Sequence, residues 1–282
     1  MAVPNQSASI FLDGLGSDIC SPFFDSKGST LHVVSQSSGD IMMVGSTIGA
    51  QKLHSTGGQP SSANFSSNGS LYITDFAHAG ILSVDTQTGE QELMVGVYED
   101  KPFKGPSSIA LSSNGIYFTD SGPLGETGLH SSTGNVFVII DSPSGQILKP
   151  IALGTLAYPS AITVSNNGKF VYVAEMMTNR IIRYFQQPEG VYHGSVFCQL
   201  NGGVGPSSLA FDAKRGNLIV GMYETKDNNV EGVVYIISAT SGKIISTIST
   251  KGPEISGLVV QGDFVYITEK SAGGTIYKAS LN

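Results

Sequence analysis

The chain has no tryptophan, two cysteines and few charges. Two cysteines cannot build a disulfide framework, so Cys20 and Cys198 are expected as free thiols, Cys20 near the centre of the fold and Cys198 on an outer strand. Charged residues make up 13% of the chain, against roughly 25% in ordinary soluble proteins. The net charge is −7 and the three arginines are scattered, so no basic stripe exists and nucleic acid is not an expected partner. No apolar run approaches the roughly 18 residues that span a bilayer, so no membrane insertion is expected. The opening Met1-Ala2-Val3-Pro4 carries no signal-peptide pattern. The expected protein is soluble, and cytoplasmic or secreted after loss of a leader; composition does not choose between these, nor fix an oligomeric state. There is no Gly-x-Ser-x-Gly elbow, His-Glu-x-x-His, Cys-x-x-Cys, phosphate loop or dinucleotide fingerprint. No cofactor is expected.

What is present is one phrase said six times. It reads Cys20-Ser21-Pro22, Gln59-Pro60-Ser61-Ser62, Gly105-Pro106-Ser107-Ser108, Tyr158-Pro159-Ser160-Ala161, Gly205-Pro206-Ser207-Ser208 and, without proline, Glu254-Ile255-Ser256-Gly257. A second phrase follows about eight to twelve residues later, as in Leu71-Tyr72-Ile73-Thr74-Asp75, Ile116–Asp120, Val171–Glu175 and Val265–Glu269, with weaker copies at Leu31–Ser35 and Leu218–Met222. Short strands recurring every 40–50 residues or so mean a propeller or a related array. Each unit parses into four strands. In the second they are Ser61–Phe65, Ser70–Thr74, Gly80–Val84 and Glu90–Val95, with Asn68-Gly69 and Thr88-Gly89 supplying the positive φ of hairpin turns.

The last unit has three strands, Ser256–Val260, Phe264–Thr268 and Thr275–Ala279. The strand-like run Ser9–Asp13 has no other home. It is expected to complete the sixth blade and close the ring, which removes an exposed edge. The expectation is an all-β fold: a six-bladed β-propeller with four-stranded blades, one domain over 1–282. Loops joining the second and third strands should gather on the face that carries the Pro-Ser phrases. They are 36–39, 76–79, 121–134, 176–179, 223–231 and 270–273; the third and fifth are long, and binding concentrates in long loops on a rigid ring.

The order of phrases resembles the senescence-marker-protein/gluconolactonase family, with luciferin-regenerating enzyme and, more distantly, strictosidine synthase and paraoxonase. Tyr158-Pro159-Ser160-Ala161-Ile162 followed by Val171-Tyr172-Val173-Ala174-Glu175 is the best stretch. The resemblance implies the propeller, and a divalent cation at the channel mouth of the family's hydrolases. Carried over, the ligand positions are Cys20, Ser107, Ser160 and Ser207, where the family has Glu, Asn or Asp. Calcium takes six to eight hard oxygens, charged carboxylates among them. No metal is therefore expected here.

The serines at the phrase, Ser21, Ser61, Ser107, Ser160, Ser207 and Ser256, suggest a polar, uncharged ring near the axis; each could equally bond the backbone where a strand begins. The expected substrate-binding set is Cys20, Ser61, Phe76, His78, Ser107, His130, Ser160, Met176, Ser207 and Ser256. The expected catalytic groups are Tyr223, Glu175 and Lys270; Lys226, His54 and Glu224 are further polar handles. Asp75, Asp120, Glu175 and Glu269 end four second strands, where capping of loop amides competes with a catalytic role. The reading is an enzyme of specialised metabolism acting on a mostly apolar small molecule, a cyclase, lyase or isomerase. A cation-dependent lactonase and a non-catalytic scaffold stand as the alternatives.

Overall fold

The computed structural model describes residues 3–225, 227, 231–271 and 273–282. Six blades of four antiparallel strands follow one another around a ring, and one of them carries a fifth strand. Strands a to d run from the axis outward. Blade 1 holds Ile19–Phe24, Leu31–Ser35, Asp40–Gly45 and Gly49–Ser55; blade 2 holds Pro60–Phe65, Leu71–Asp75, Gly80–Val84 and Gln91–Val95; blade 3 holds Pro106–Ser112, Gly115–Asp120, Gly134–Ser142 and Gly145–Leu156. Blade 4 holds Pro159–Val164, Phe170–Glu175, Arg180–Gln186 and Tyr192–Gln199; blade 5 holds Gly205–Asp212, Asn217–Tyr223, Gly232–Ser238 and Ile244–Thr250. Blade 6 takes strands a to c from Ile255–Gln261, Phe264–Glu269 and Thr275–Ser280.

Its fourth strand is Ser9–Leu12, antiparallel to Thr275–Ser280 with Ser9 opposite Lys278 and Ile10 opposite Tyr277. The ring thus closes as the sequence suggests. The segment before it was not anticipated. Asn5–Ser7 lies parallel to the outer strand of blade 5, with Asn5 opposite Thr247. Three polar residues carry no periodicity from which a strand could be read.

Six apolar clusters hold the ring, one in each seam between neighbouring blades. Strand b explains the arrangement. In blade 4, Val171 and Val173 face the seam with blade 3, while Tyr172 and Ala174 face the seam with blade 5. Alternation of period two sends successive side chains into different seams, so a strand buried on both faces reads as a continuous apolar run. Burying each such Val, Leu or Ile contributes about 1.5–3 kcal/mol. Strand a lines the axis and is the inner edge of its blade. Pro60, Pro106 and Pro159 therefore begin strands, and Pro206 stands second in its strand, without costing a ladder bond.

Cys198 lies on the outer strand of blade 4 and both thiols are free. Deleting residues 1–13 removes the outer strand of blade 6 and the strand added to blade 5. The expected outcome is aggregation, or a melting temperature lower by about 10 °C or more. A truncated chain as soluble and heat-resistant as the parent would contradict closure through this strand.

Candidate active site at the channel mouth

The axial shaft has a volume of 220 Å³ and is lined by strand a of all six blades, with no ionisable side chain in its wall. Pockets for drug-sized ligands run from about 300 to 1,000 Å³. The shaft is smaller than such pockets.

The wall begins with a belt. Ser61 Oγ of blade 2 donates to the Pro106 carbonyl of blade 3 at 2.8 Å. Ser107 donates to Pro159 O at 3.3 Å, Ser160 to Pro206 O at 2.7 Å, Ser207 to Ile255 O at 2.6 Å and Ser256 to Ile19 O at 2.7 Å. Cys20 Sγ completes the circuit on the Ser61 carbonyl at 3.4 Å. A β-bulge makes this possible: in blades 2 to 6 the register skips the belt serine, and a bulge re-aims the side chain of the extra residue. The belt corrects the expected ring at one place. Cys20, not Ser21, is the register equivalent of Ser61; Ser21 lies one residue further along, its Oγ 2.9 Å from Ser62 Oγ.

Above the belt, an acid in each blade clasps the loops. Asp75 Oδ1 accepts the amides of Gln59 and His78 at 3.1 and 3.0 Å. Asp120 accepts Lys104 and Gly105 amides and Asn135 Nδ2. Glu175 accepts the Ala157 amide at 2.7 Å, Thr178 Oγ1 at 2.7 Å and the Arg180 guanidinium. Glu269 accepts the Glu254 and Ser271 amides. Glu224 serves blade 5 through the amides of Gly203 and Val204, and Asp18 serves blade 1 through Ser35 and Ser37. Glu175, expected as a base, is fully buried in its clasp and absent from the shaft wall.

The residue that follows the register position of Asp75 in each blade lies at the rim of the channel. Gln36, Phe76, Ser121, Met176 and Lys270 each donate a backbone amide to the residue two before the belt position: Asp18, Gln59, Gly105, Tyr158 and Glu254. Tyr223 pairs with Gly205 in the same way. Phe76 reaches over blade 3, where a Cβ on Gly105 would lie 2.5 Å from its ring. Met176 is buried, and its carbonyl leaves no room for a Cβ on Gly205. Lys270 Nζ reaches Gln36 Oε1 at 3.5 Å.

The other expected residues fall further out. His78 Nδ1 sits 3.0 Å from Asp75 Oδ1, in the loop behind Phe76. His130 is exposed near the tip of the blade 3 loop, 121–133. The blade 5 loop, 224–231, is described only in part, and Lys226 lies outside the described residues. Sequence reasoning gave no role to Tyr158, Gln36 or Glu254. Their signal was the shared register with the belt, which becomes visible once strands are paired.

A family and several solved structures share this architecture. The profile of the SMP-30/Gluconolactonase/LRE-like region matches residues 21–269. The chain belongs to this family. Regucalcin, a calcium-binding protein from Agrobacterium tumefaciens, superposes with a TM-score of 0.80 at 17% identity, covering 99% of this chain and 96% of that one. A gluconolactonase from Xanthomonas campestris gives 0.77 at 16% identity over 95% and 89% of the two chains. A luciferin-regenerating enzyme gives 0.76 at 14% over 97% and 95%. At such identities the likeness is one of fold. No curated protein sequence matches the chain.

For this SMP-30/gluconolactonase-like chain, the cation positions implied by the resemblance are Cys20, Ser107, Ser160 and Ser207. All four belong to the belt. Burial pushes the Cys20 thiol up to about 11, against the opposing pull of Lys270, so it stays protonated. The three hydroxyls already donate to carbonyls. Among the described residues, no group of three or more His, Cys, Asp or Glu could hold a metal ion. This donor set does not fit a hard divalent cation.

The clasps differ electrostatically. Burial pushes the Asp75 carboxyl up, but its bonds from His78, Thr56 and Gln59 bring it below the ordinary value. For Asp120 burial wins over Asn135, Gly105 and Lys104, and the carboxyl is raised. A group depressed on folding stabilises above its unfolded pKa, near 4, and that contribution is lost as pH falls through the folded value. A raised carboxyl does the reverse: stability falls as pH rises from about 4 through its folded value. Asp75→Asn should therefore flatten the acid limb of the stability profile below about pH 4. Asp120→Asn should relieve a loss just above it. Denaturant melts from about pH 2.5 to 7 decide this; indistinguishable profiles for the two variants would refute the assignment.

Proposed function

We propose that this chain is a small-molecule enzyme that works without a resident cation, binding a mostly apolar organic substrate at the propeller mouth and promoting a non-hydrolytic, ring-forming or isomerising step. The observation that carries the reading is the belt: the positions that would hold the family's cation are engaged in hydrogen bonds between blades. In this reading Phe76 and Met176 supply an apolar wall, and Tyr223 and Lys270 two hydrogen-bond donors.

Such a site can act by orientation. Holding two reacting segments together in a water-poor cleft replaces an entropic cost of reaching the transition state. Burial, with Glu254 and Glu269 nearby, raises the Tyr223 phenol above its ordinary value. It therefore remains protonated at neutral pH and can donate to an oxygen on which negative charge develops. Lys270 offers a second donor. Glu175, tied into its clasp, holds the Met176 loop in place. The belt serines set the floor beneath the substrate, and a bulky side chain there would project into the shaft.

A second reading has its own support. Family membership favours a cation-dependent lactonase, and the gluconolactonase of Xanthomonas campestris shares the fold. One set of measurements separates the two. Native mass spectrometry should find well under one calcium or zinc per chain, and a chelator should leave melting temperature and activity unchanged. Tyr223→Phe should lower the catalysed rate by about 10- to 100-fold with folding intact, and Ser160→Leu should block binding. Stoichiometric calcium, lost together with lactone hydrolysis on chelation, would establish the lactonase reading instead.

A further inference from the structure

The mouth is not uniform around its circumference. Blades 2, 3 and 4 contribute Phe76, Ser121, Met176 and Tyr158, with glycine at 105, and no charged group at these positions. The blade 3 loop, on the same face, leaves Leu124 and Leu129 64% and 65% exposed, and Phe76 is 37% exposed. Exposed apolar side chains gathered on one arc of a binding face mark a contact surface.

Blades 5, 6 and 1 form the opposite arc with Tyr223, Lys270, Gln36, Glu254 and Asp18. Tyr223 bridges Glu254, the Lys270 amide donates to the Glu254 carbonyl, the Gln36 amide donates to the Asp18 carbonyl, and Lys270 Nζ reaches Gln36 Oε1 at 3.5 Å, so these residues lie close together. Asp18 is spent on Ser35 and Ser37. The side-chain donors this arc carries are the Tyr223 hydroxyl, the Lys270 ammonium and the Gln36 amide, and Asp18 and Glu254 add negative charge beside them. Carboxylates beside the donors oppose an anion but not a neutral acceptor.

We infer that the mouth selects a neutral amphiphile, with a hydrocarbon ring system or chain over blades 2 to 4 and a carbonyl end over blades 5, 6 and 1. This rests on the mouth being the site, as proposed above, and adds the substrate class and its orientation. Leu124 and Leu129 are the specificity-determining contacts for the apolar end. Tyr223 and Lys270 are those for the carbonyl.

Three fluorescent probes test it on the full chain. Prodan is a naphthalene with a ketone. N-phenyl-1-naphthylamine has no carbonyl. 8-Anilinonaphthalene-1-sulfonate is that same amine bearing an anion. Prodan should bind saturably and tightest. Lys270→Met and Tyr223→Phe should each weaken it roughly tenfold and shift its emission to the blue as the carbonyl loses its donor. The same variants should leave N-phenyl-1-naphthylamine within about twofold, and Lys270→Arg should retain prodan. Leu124→Ser combined with Leu129→Ser should weaken both neutral probes. Leu93→Ser, an exposed apolar residue on the outer strand of blade 2, should weaken neither. Tighter binding of the sulfonate than of its neutral parent would overturn the exclusion of anions. Equal losses for both neutral probes on Lys270→Met would overturn the orientation while leaving the mouth as the site. No saturable binding of any probe would remove the site itself. The absence of a resident cation is judged separately, by the chelation experiment.

Discussion

Each blade hands one hydrogen bond to the next at the narrow end of its wedge, and the ring depends on that hand-off. The apolar clusters lie further out, in the seams, where large side chains have room. At the axis the strands converge and only short residues fit. A serine on a bulge can reach the neighbouring carbonyl there, and one such bond contributes about 1 kcal/mol net, while an orphaned carbonyl in that place would cost more. Five serines and one thiol repeat the contact around the circle. Closure by Ser9–Leu12 matters for the same reason, because a circuit of neighbours tolerates no gap.

The belt has a chemical consequence. A hydroxyl that donates to a backbone carbonyl has its proton committed, and a buried thiol with a raised pKa carries no charge. The floor of the mouth is therefore neutral and fixed. Recognition has to come from the layer above, and that layer is held by the clasps. Six acids accept loop amides or hydroxyls, so the rim residues beside them, from Gln36 to Lys270, sit on backbone that is tied down nearby. Loops anchored in this way can hold a ligand without reorganising on binding, which is what the function proposed above requires.

Much of this was legible in the residues. The Pro-Ser phrase and the Tyr-containing phrase after it give the period, the blade count and the inner two strands. Asn68-Gly69 and Thr88-Gly89 give the turns, with positive φ at both glycines. The orphan run before Cys20 gives the closure. What residue order does not carry is direction. A serine near an axis reads equally as a lining hydroxyl or as a donor to the next blade, and only the bulge decides. For that reason Ser21 was set beside Ser61 when Cys20 is its equivalent. Glu224 escaped the list of repeated acids because its blade places the acid two residues beyond the register position of Asp75. Lys270, Gln36 and Glu254 became neighbours only when the last blade met the first.

Asymmetry around the mouth follows from the same logic. Repetition fixes the belt and the clasps, since any blade that lost its donor or its acid would loosen a seam or a loop. The position after each clasp is under no such demand: its backbone amide makes the conserved geometry of the ring, and its side chain is free to differ. It is glutamine, phenylalanine, serine, methionine, tyrosine and lysine in turn. Six different residues on one rigid circle divide it into an apolar arc and a polar one, and a ligand that meets both arcs at once has its orientation set before any chemistry begins. A low overall charge sharpens this, because few distant ions compete with Tyr223 and Lys270 for a polarised oxygen. The propeller's repetition serves stability, and the departure from it in a single layer is what the proposed function draws on.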